Sequence, residues 1–163
     1  MKRLYLIRHA KSSWKNSSLA DVDRPLNKRG EKDAPFMGNR LRKVKANPDG
    51  IFTSPAKRAR KTTKMLAKAM DYPKEKIETV TELYGATQAS LFDFIRQLDD
   101  ALTNVMLIGH NPELTDLANY LTTERVENIP TCGIFCIDFP VDSWKEISEN
   151  LGTVAFFDYP KKH

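Results

Sequence analysis

Residues 4–10 read Leu4-Tyr5-Leu6-Ile7-Arg8-His9-Ala10. Four apolar residues run straight into a cation and an imidazole. A short apolar run of this kind reads as a buried strand, and Arg8–His9 then sits at its carboxyl end. The arrangement returns later in the chain, where Val105–Ile108 leads into Gly109-His110-Asn111-Pro112. The chain has three histidines, and His163 is terminal. The other two each follow an apolar strand directly, which separates them from the packing histidines common in protein cores.

Between and beyond these strands the pattern alternates. Asn27–Lys45 reads as a helix whose first turns Pro35 should limit or distort. Ile51–Thr53 is a short strand, after which Ser54 is expected to cap a helix with Pro55 at its first position. That helix should run to about Ala69, with Ala59, Thr62, Thr63 and Leu66 on one face. Ile77–Val80 reads as a strand, Ser90–Ala101 as a helix, and Glu113–Leu121 as a short helix. Ile134–Phe139 and Thr153–Phe157 are late strands rich in β-branched and aromatic residues. Alternation of strands and helices predicts a three-layer α/β/α sandwich on a mostly parallel sheet, with the late strands forming an antiparallel edge.

Composition bounds the rest. The 163 residues suit a single domain spanning 1–163, and 40% hydrophobic with 29% charged residues is an ordinary globular balance. No apolar run approaches the ~18 residues that cross a membrane. The N-terminal apolar segment is too short for a signal-peptide core, so a cytoplasmic setting is expected. Cys132 and Cys136 do not make a disulfide framework. Charge is uneven: residues 1–80 carry 21 basic and 8 acidic groups, net +13, and residues 81–163 carry 5 and 13, net −8. That asymmetry suits an acidic or phosphorylated partner.

In open α/β sheets the ligand crevice lies beyond the carboxyl ends of the strands. Parallel strands here would bring Arg8 and His9, the basic helix start carrying Arg58, Glu82, and His110 to one edge. Together they make an anion site suited to a phosphoryl group. Other phosphate and hydrolase chemistries lack their marks. Neither cysteine has an arginine six positions on, no P-loop or Gly-x-Ser-x-Gly occurs, and no apolar strand precedes Asp21-x-Asp23. His9 and His110 have no nearby third ligand for zinc, so no metal and no cofactor are expected.

These residues carry a resemblance. Arg8-His9-Ala10-Lys11-Ser12-Ser13-Trp14, Asp23-Arg24-Pro25-Leu26-Asn27-Lys28-Arg29-Gly30, Ser54-Pro55-Ala56-Lys57-Arg58-Ala59, Glu82-Leu83-Tyr84 and Gly109-His110-Asn111-Pro112 occur in order. Together they resemble the histidine phosphatase superfamily, with its phosphoglycerate-mutase-like fold, and within it the SixA-type phosphohistidine phosphatases. The resemblance implies His9 as nucleophile, Arg8 and Arg58 as phosphate ligands, His110 as a further ligand, and Glu82 where many members keep a proton donor. Ala10 stands in place of the more usual glycine. Lys15 stands where mutase-like members carry an asparagine, with Asn16 beside it. The chain is too short for the helical insertion of larger members, which implies an open site and favours a protein substrate over a small metabolite.

The chemistry then has requirements. His9 must be neutral to attack phosphorus, which nearby positive charge promotes, and its second ring nitrogen should be held by a backbone carbonyl. Arg8, Arg58 and His110 would stabilise the transferring phosphoryl group, and Glu82 would protonate the leaving group if burial keeps it protonated. Arg24 reads either as a structural arginine tying its loop down or as a phosphate contact at the rim. The expected activity is metal-independent hydrolysis of phosphohistidine on a protein, a phosphotransfer domain or phosphocarrier, through a phosphorylated His9. The alternatives are a small phosphomonoesterase of the same superfamily and a phosphate- or nucleic-acid-binding module. No nucleic-acid motif or stacking platform supports the module, so neither nucleic acid nor membrane is expected as a partner.

Overall fold

The computed structural model describes residues 1–163. Strand β1 (Lys2–Arg8) pairs in parallel with β4 (Asn104–Gly109) and antiparallel with β5 (Ile134–Phe139). Strands β2 (Gly50–Thr53), β3 (Glu78–Thr79) and β6 (Thr153–Asp158) complete one six-stranded sheet of order β3-β2-β4-β1-β5-β6. The first four in that order run parallel, and β5 and β6 form the antiparallel edge.

The continuous apolar runs follow from burial on both faces, as a parallel sheet requires. Side chains alternate across a strand. Leu4, Leu6, Val105, Leu107, Phe135 and Ile137 therefore enter one core, and Tyr5, Ile7, Met106, Ile108, Ile134 and Cys136 enter the other. Helices α3 (Gln88–Arg96) and α4 (Glu113–Leu121) cover the first face. Helices α1 (Lys28–Lys43) and α2 (Lys57–Ala69) cover the second. Each fully buried leucine or isoleucine contributes roughly 1.5–3 kcal/mol. The basic half of the chain thus becomes largely one outer layer of the sandwich.

Several boundaries differ from the sequence reading. Helix α1 continues through Pro35, which faces solvent, so the Glu31 carbonyl that loses its donor is not trapped in the core. Its start is set by Asn27, whose side chain accepts from the Gly30 N–H at 2.8 Å. Helix α2 opens at Lys57 with Ala56 as its cap residue, two residues later than expected. Ser54 Oγ accepts from the Ala56 N–H at 3.1 Å, a local turn that delays the helix. Helix α3 starts two residues early on a Thr87–Ser90 capping box and stops at Arg96. Beyond it, Asp99 draws the Ala101 N–H into a turn at 2.9 Å. Strand β3 keeps only two paired residues of the four expected.

The register places the site. Arg8 lies opposite Gly109, and Thr53 lies opposite Ile108. The residues immediately after β1, β2 and β4 are therefore His9, Ser54 and His110, all at one edge of the sheet.

Candidate active site

A cavity of about 530 Å³ opens at that edge. Arg8, His9, Arg58 and His110 all line it, so the structure brings four predicted residues together. The His9 and His110 rings lie with centroids 5.1 Å apart.

His9 is buried, and its Nδ1 lies 2.7 Å from the Ala10 carbonyl oxygen. A carbonyl can only accept, so Nδ1 carries the proton and Nε2 keeps its lone pair. Ala10 is itself held: its N–H donates to Thr62 Oγ1 at 3.0 Å, and the Thr62 hydroxyl donates to the Arg58 carbonyl at 2.8 Å. Burial lowers the His9 pKa to about 3; the Ala10 carbonyl opposes this, while His110, Arg58 and Arg8 add to it. His110 is lowered to about 4, first by burial and then by Arg58. Both rings are neutral at neutral pH, the state in which an imidazole can act as a nucleophile.

His110 Nε2 lies 2.7 Å from Ser54 Oγ. Ser54 Oγ also accepts from the Ala56 N–H, which leaves its hydroxyl proton to donate to this nitrogen. Tyr84 packs edge-on against the His110 ring at 5.6 Å.

The arginines are anchored differently. Arg8 Nη1 donates to the Ile129 carbonyl at 3.1 Å, while its buried Nε has no protein acceptor. Buried N–H groups almost always find a partner, so an unpartnered donor on a cationic side chain at this cavity points to an anionic ligand. Arg58 Nη1 donates to the Asp21 carbonyl at 2.7 Å and Nη2 to its carboxylate at 2.9 Å. Asp21 also accepts from Tyr84 Oη at 2.6 Å and from Arg24 Nη1 at 3.0 Å. The Tyr84 hydroxyl first, and then Arg58 and Arg24, hold the Asp21 carboxyl well below the usual carboxylate range.

Arg24 lines the cavity and is fully engaged. Its Nε donates to the Ser13 carbonyl at 3.1 Å, its Nη2 to Ser12 Oγ at 2.6 Å, and its guanidinium stacks on Trp14 at 3.2 Å from the ring centroid. Arg24 thus ties its loop down, and it also lines the cavity. Trp14 is 75% exposed and forms one wall of the mouth.

Other expectations fall outside the cavity. Glu82 sits on the 3-10 turn Thr81–Leu83, exposed and not part of the lining, so the burial expected of it is missing. Asn16 is exposed and accepts from Ser18 within its own turn, and neither it nor Lys15 reaches the cavity. No group of three His, Cys, Asp or Glu side chains forms a metal-ligand set. Cys132 and Cys136 are buried, and burial pushes both thiols up, as suits packing.

Asp21, Ser54, Thr62, Tyr84 and Glu113 are site residues that sequence reasoning missed. In the sequence Tyr84 stands out only as part of Glu82-Leu83-Tyr84. The signal for Asp21 was its position three residues before Arg24, the reach of a side-chain contact across one turn.

The comparisons with known proteins agree with this geometry. A model of the histidine phosphatase superfamily (branch 1) matches residues 4–111. An uncharacterized protein of Mycobacterium tuberculosis is 30% identical over 165 residues, covering 95% of this chain and 100% of that protein. An uncharacterized chloroplastic protein of Arabidopsis thaliana is 31% identical over 153 residues, covering 89% of this chain and 70% of the relative. A solved structure described as a candidate phosphohistidine phosphatase SixA from Agrobacterium tumefaciens has a TM-score of 0.84 at 27% identity, over 98% of both chains. The protein histidine phosphatase SixA in complex with tungstate shares the fold, with a TM-score of 0.83 at 20% identity over 98% of both chains. With two neutral histidines and two arginines converging at the carboxyl edge of this sheet, the chain belongs to the histidine phosphatase superfamily, branch 1, and is a phosphatase of SixA type.

Proposed function

We propose that this phosphatase hydrolyses phosphohistidine on a protein, through a phosphoryl group carried transiently by His9. The observation that supports this most is the pinned His9 ring: Nδ1 is committed to the Ala10 carbonyl, and the buried neutral ring lines the same cavity as Arg8 and Arg58. In the first step Nε2 attacks phosphorus while the P–N bond of the substrate, whose other ring nitrogen is protonated, breaks and a neutral imidazole leaves. Water then attacks the phosphoryl-His9 and releases phosphate. Arg8 and Arg58 carry the charge of the transferring group, and His110 Nδ1, free of Ser54, donates to a third oxygen. A phosphohistidine leaves as an imidazole, which needs less help from an external acid than an alkoxide does. Glu82, exposed and away from the cavity, takes no part in this scheme.

The protein substrate is supported by the access to the site. No helical layer covers the cavity, whose lining includes the exposed Trp14 and Tyr84. The similarity to a structure described as a candidate phosphohistidine phosphatase points the same way. The basic outer layer of α1 and α2 adjoins this edge and attracts an acidic partner.

The test is a rapid-quench assay with labelled phosphoryl donors. Wild type should form an acid-labile, base-stable adduct that His9→Ala lacks; full turnover by His9→Ala would sink the mechanism. A phosphohistidine protein should then give a higher kcat/KM than a phosphoserine peptide or a sugar phosphate at matched concentrations. Preference for the sugar phosphate would assign the chain to the small-molecule phosphomonoesterases.

A further inference from the structure

The cavity contains two carboxyl groups, on Asp21 and Glu113, and they are placed in opposite circumstances. Asp21 receives hydrogen bonds from Tyr84, Arg58 and Arg24, so it stays ionised. Glu113 is the first residue of α4, three positions after His110, and is only 8% exposed. It makes no ion pair and no hydrogen bond to another side chain. Two carboxyls whose surroundings pull them apart in this way divide into an anchor and an acid.

We infer that Glu113 is a proton donor to the leaving group, and that it extends the activity of this site to oxygen phosphomonoesters. The inference rests on the proposed phosphoryl-His9 mechanism. Burial, with Asp116 one turn further along α4, raises the Glu113 carboxyl above its ordinary value. Of the other proton-carrying groups that line the cavity, Lys11 is exposed to solvent. His9 is the nucleophile, His110 is held neutral, and the Tyr84 hydroxyl is bonded to Asp21.

The steps balance. As Nε2 of His9 bonds to phosphorus and the P–O bond breaks, the Glu113 proton passes to the departing oxygen and an alcohol leaves. The Glu113 carboxylate then takes a proton from the water that attacks phosphoryl-His9. Phosphate departs, the His9 ring returns to neutral, and Glu113 is protonated again.

The demand for an acid grows with the basicity of the leaving group, and this gives the experiment. kcat/KM is measured for nitrophenyl phosphate, phenyl phosphate, an alkyl phosphate and phosphohistidine, with wild type and Glu113→Gln. This parameter reports the first phosphoryl transfer even where hydrolysis of phosphoryl-His9 limits turnover. Glu113→Gln should lose about 10²–10⁴-fold toward the alkyl phosphate, the usual contribution of general acid catalysis, and less than about fivefold toward nitrophenyl phosphate and phosphohistidine. An equal loss on all four, or none on any, would overturn the role of Glu113. Adduct formation on His9 in the same variant would meanwhile leave the proposed function standing. Wild type alone provides an independent reading. Its kcat/KM should change little between phenyl and alkyl phosphate, and a steep fall along the series would overturn the inference whether or not the variant folds.

Discussion

The Ala10 carbonyl oxygen lies 2.7 Å from Nδ1 of His9, the residue before it in the chain. The proposed nucleophile is therefore oriented by its own backbone, and Ala10 is held in turn by Thr62 of α2. Strand β1 and helix α2 thus share the task of aiming Nε2 into the cavity. The expected adduct is phosphorylated on Nε2. Phosphorus NMR of the trapped enzyme distinguishes the two ring nitrogens, and an Nδ1-linked product would contradict this geometry.

The two site histidines predict a pH response of definite sign. Their folded pKa values, about 3 for His9 and about 4 for His110, lie below the ordinary histidine value. Below about pH 6.5 the unfolded chain binds more protons at these positions than the folded one. Stability contributed by the neutral rings is fully present above that pH and is lost as pH falls toward the folded values. Urea unfolding at a series of pH values should show this decline, and His9→Ala should flatten it. The same shifts keep His9 nucleophilic in mild acid, so no ring titration of His9 or His110 should appear by NMR between about pH 5 and 8.

Arg58 and Arg24 both bind Asp21 but should separate by experiment. Arg58→Ala removes a proposed phosphate donor and should cost about 10² in kcat/KM. Arg24 directs its remaining donors to the Ser12 hydroxyl and the Ser13 carbonyl, and its guanidinium supports Trp14. Arg24→Ala leaves these groups unpaired and should destabilise the fold by about 1–3 kcal/mol, read as a lower unfolding midpoint. A raised KM with an unchanged midpoint would make Arg24 a substrate ligand rather than a tie for its loop.

Gly30 joins α1 to the segment that follows His9. A Cβ built at this position would meet the backbone oxygen of Lys11 at 2.1 Å, closer than any real contact. Lys11 cannot yield freely, because its carbonyl accepts from the Asn27 N–H at 3.0 Å beside the start of the helix. Gly30→Ala should therefore destabilise by about 1–3 kcal/mol and lower activity with it. Unchanged thermal unfolding of that variant would show that the loop and the helix are not packed this tightly.

Much of this molecule is readable from local pattern. The strand Leu4–Ile7, the strand Val105–Ile108 and the helix Glu113–Leu121 were legible because apolar periodicity and turn residues act over a few positions. Arg8, His9, Arg58 and His110 were legible because they stand at strand ends or in the first turn of the following helix. Parallel strands bring such positions to one edge. The start of α2 was misplaced because Ser54 had two uses, and its contact with His110, 56 residues away, is invisible in a local window.

The sequence by itself determined the order of the elements, the carboxyl edge as the site and the pair of histidines that defines the family. Only the tertiary structure decided which charged groups face one another inside the cavity. Asp21 was set aside on its motif, yet it meets Arg58 across 37 residues and Tyr84 across 63. The resemblance points to Glu82, yet it is exposed, while Glu113, legible in the sequence only as the start of a helix, is the buried carboxyl of the cavity. The physical reason is common to both. Whether a carboxyl is an acid, an anchor or a solvated charge depends on burial and on partners far along the chain. Those are set by how loops and helices pack over the sheet edge, not by the residues beside it in sequence.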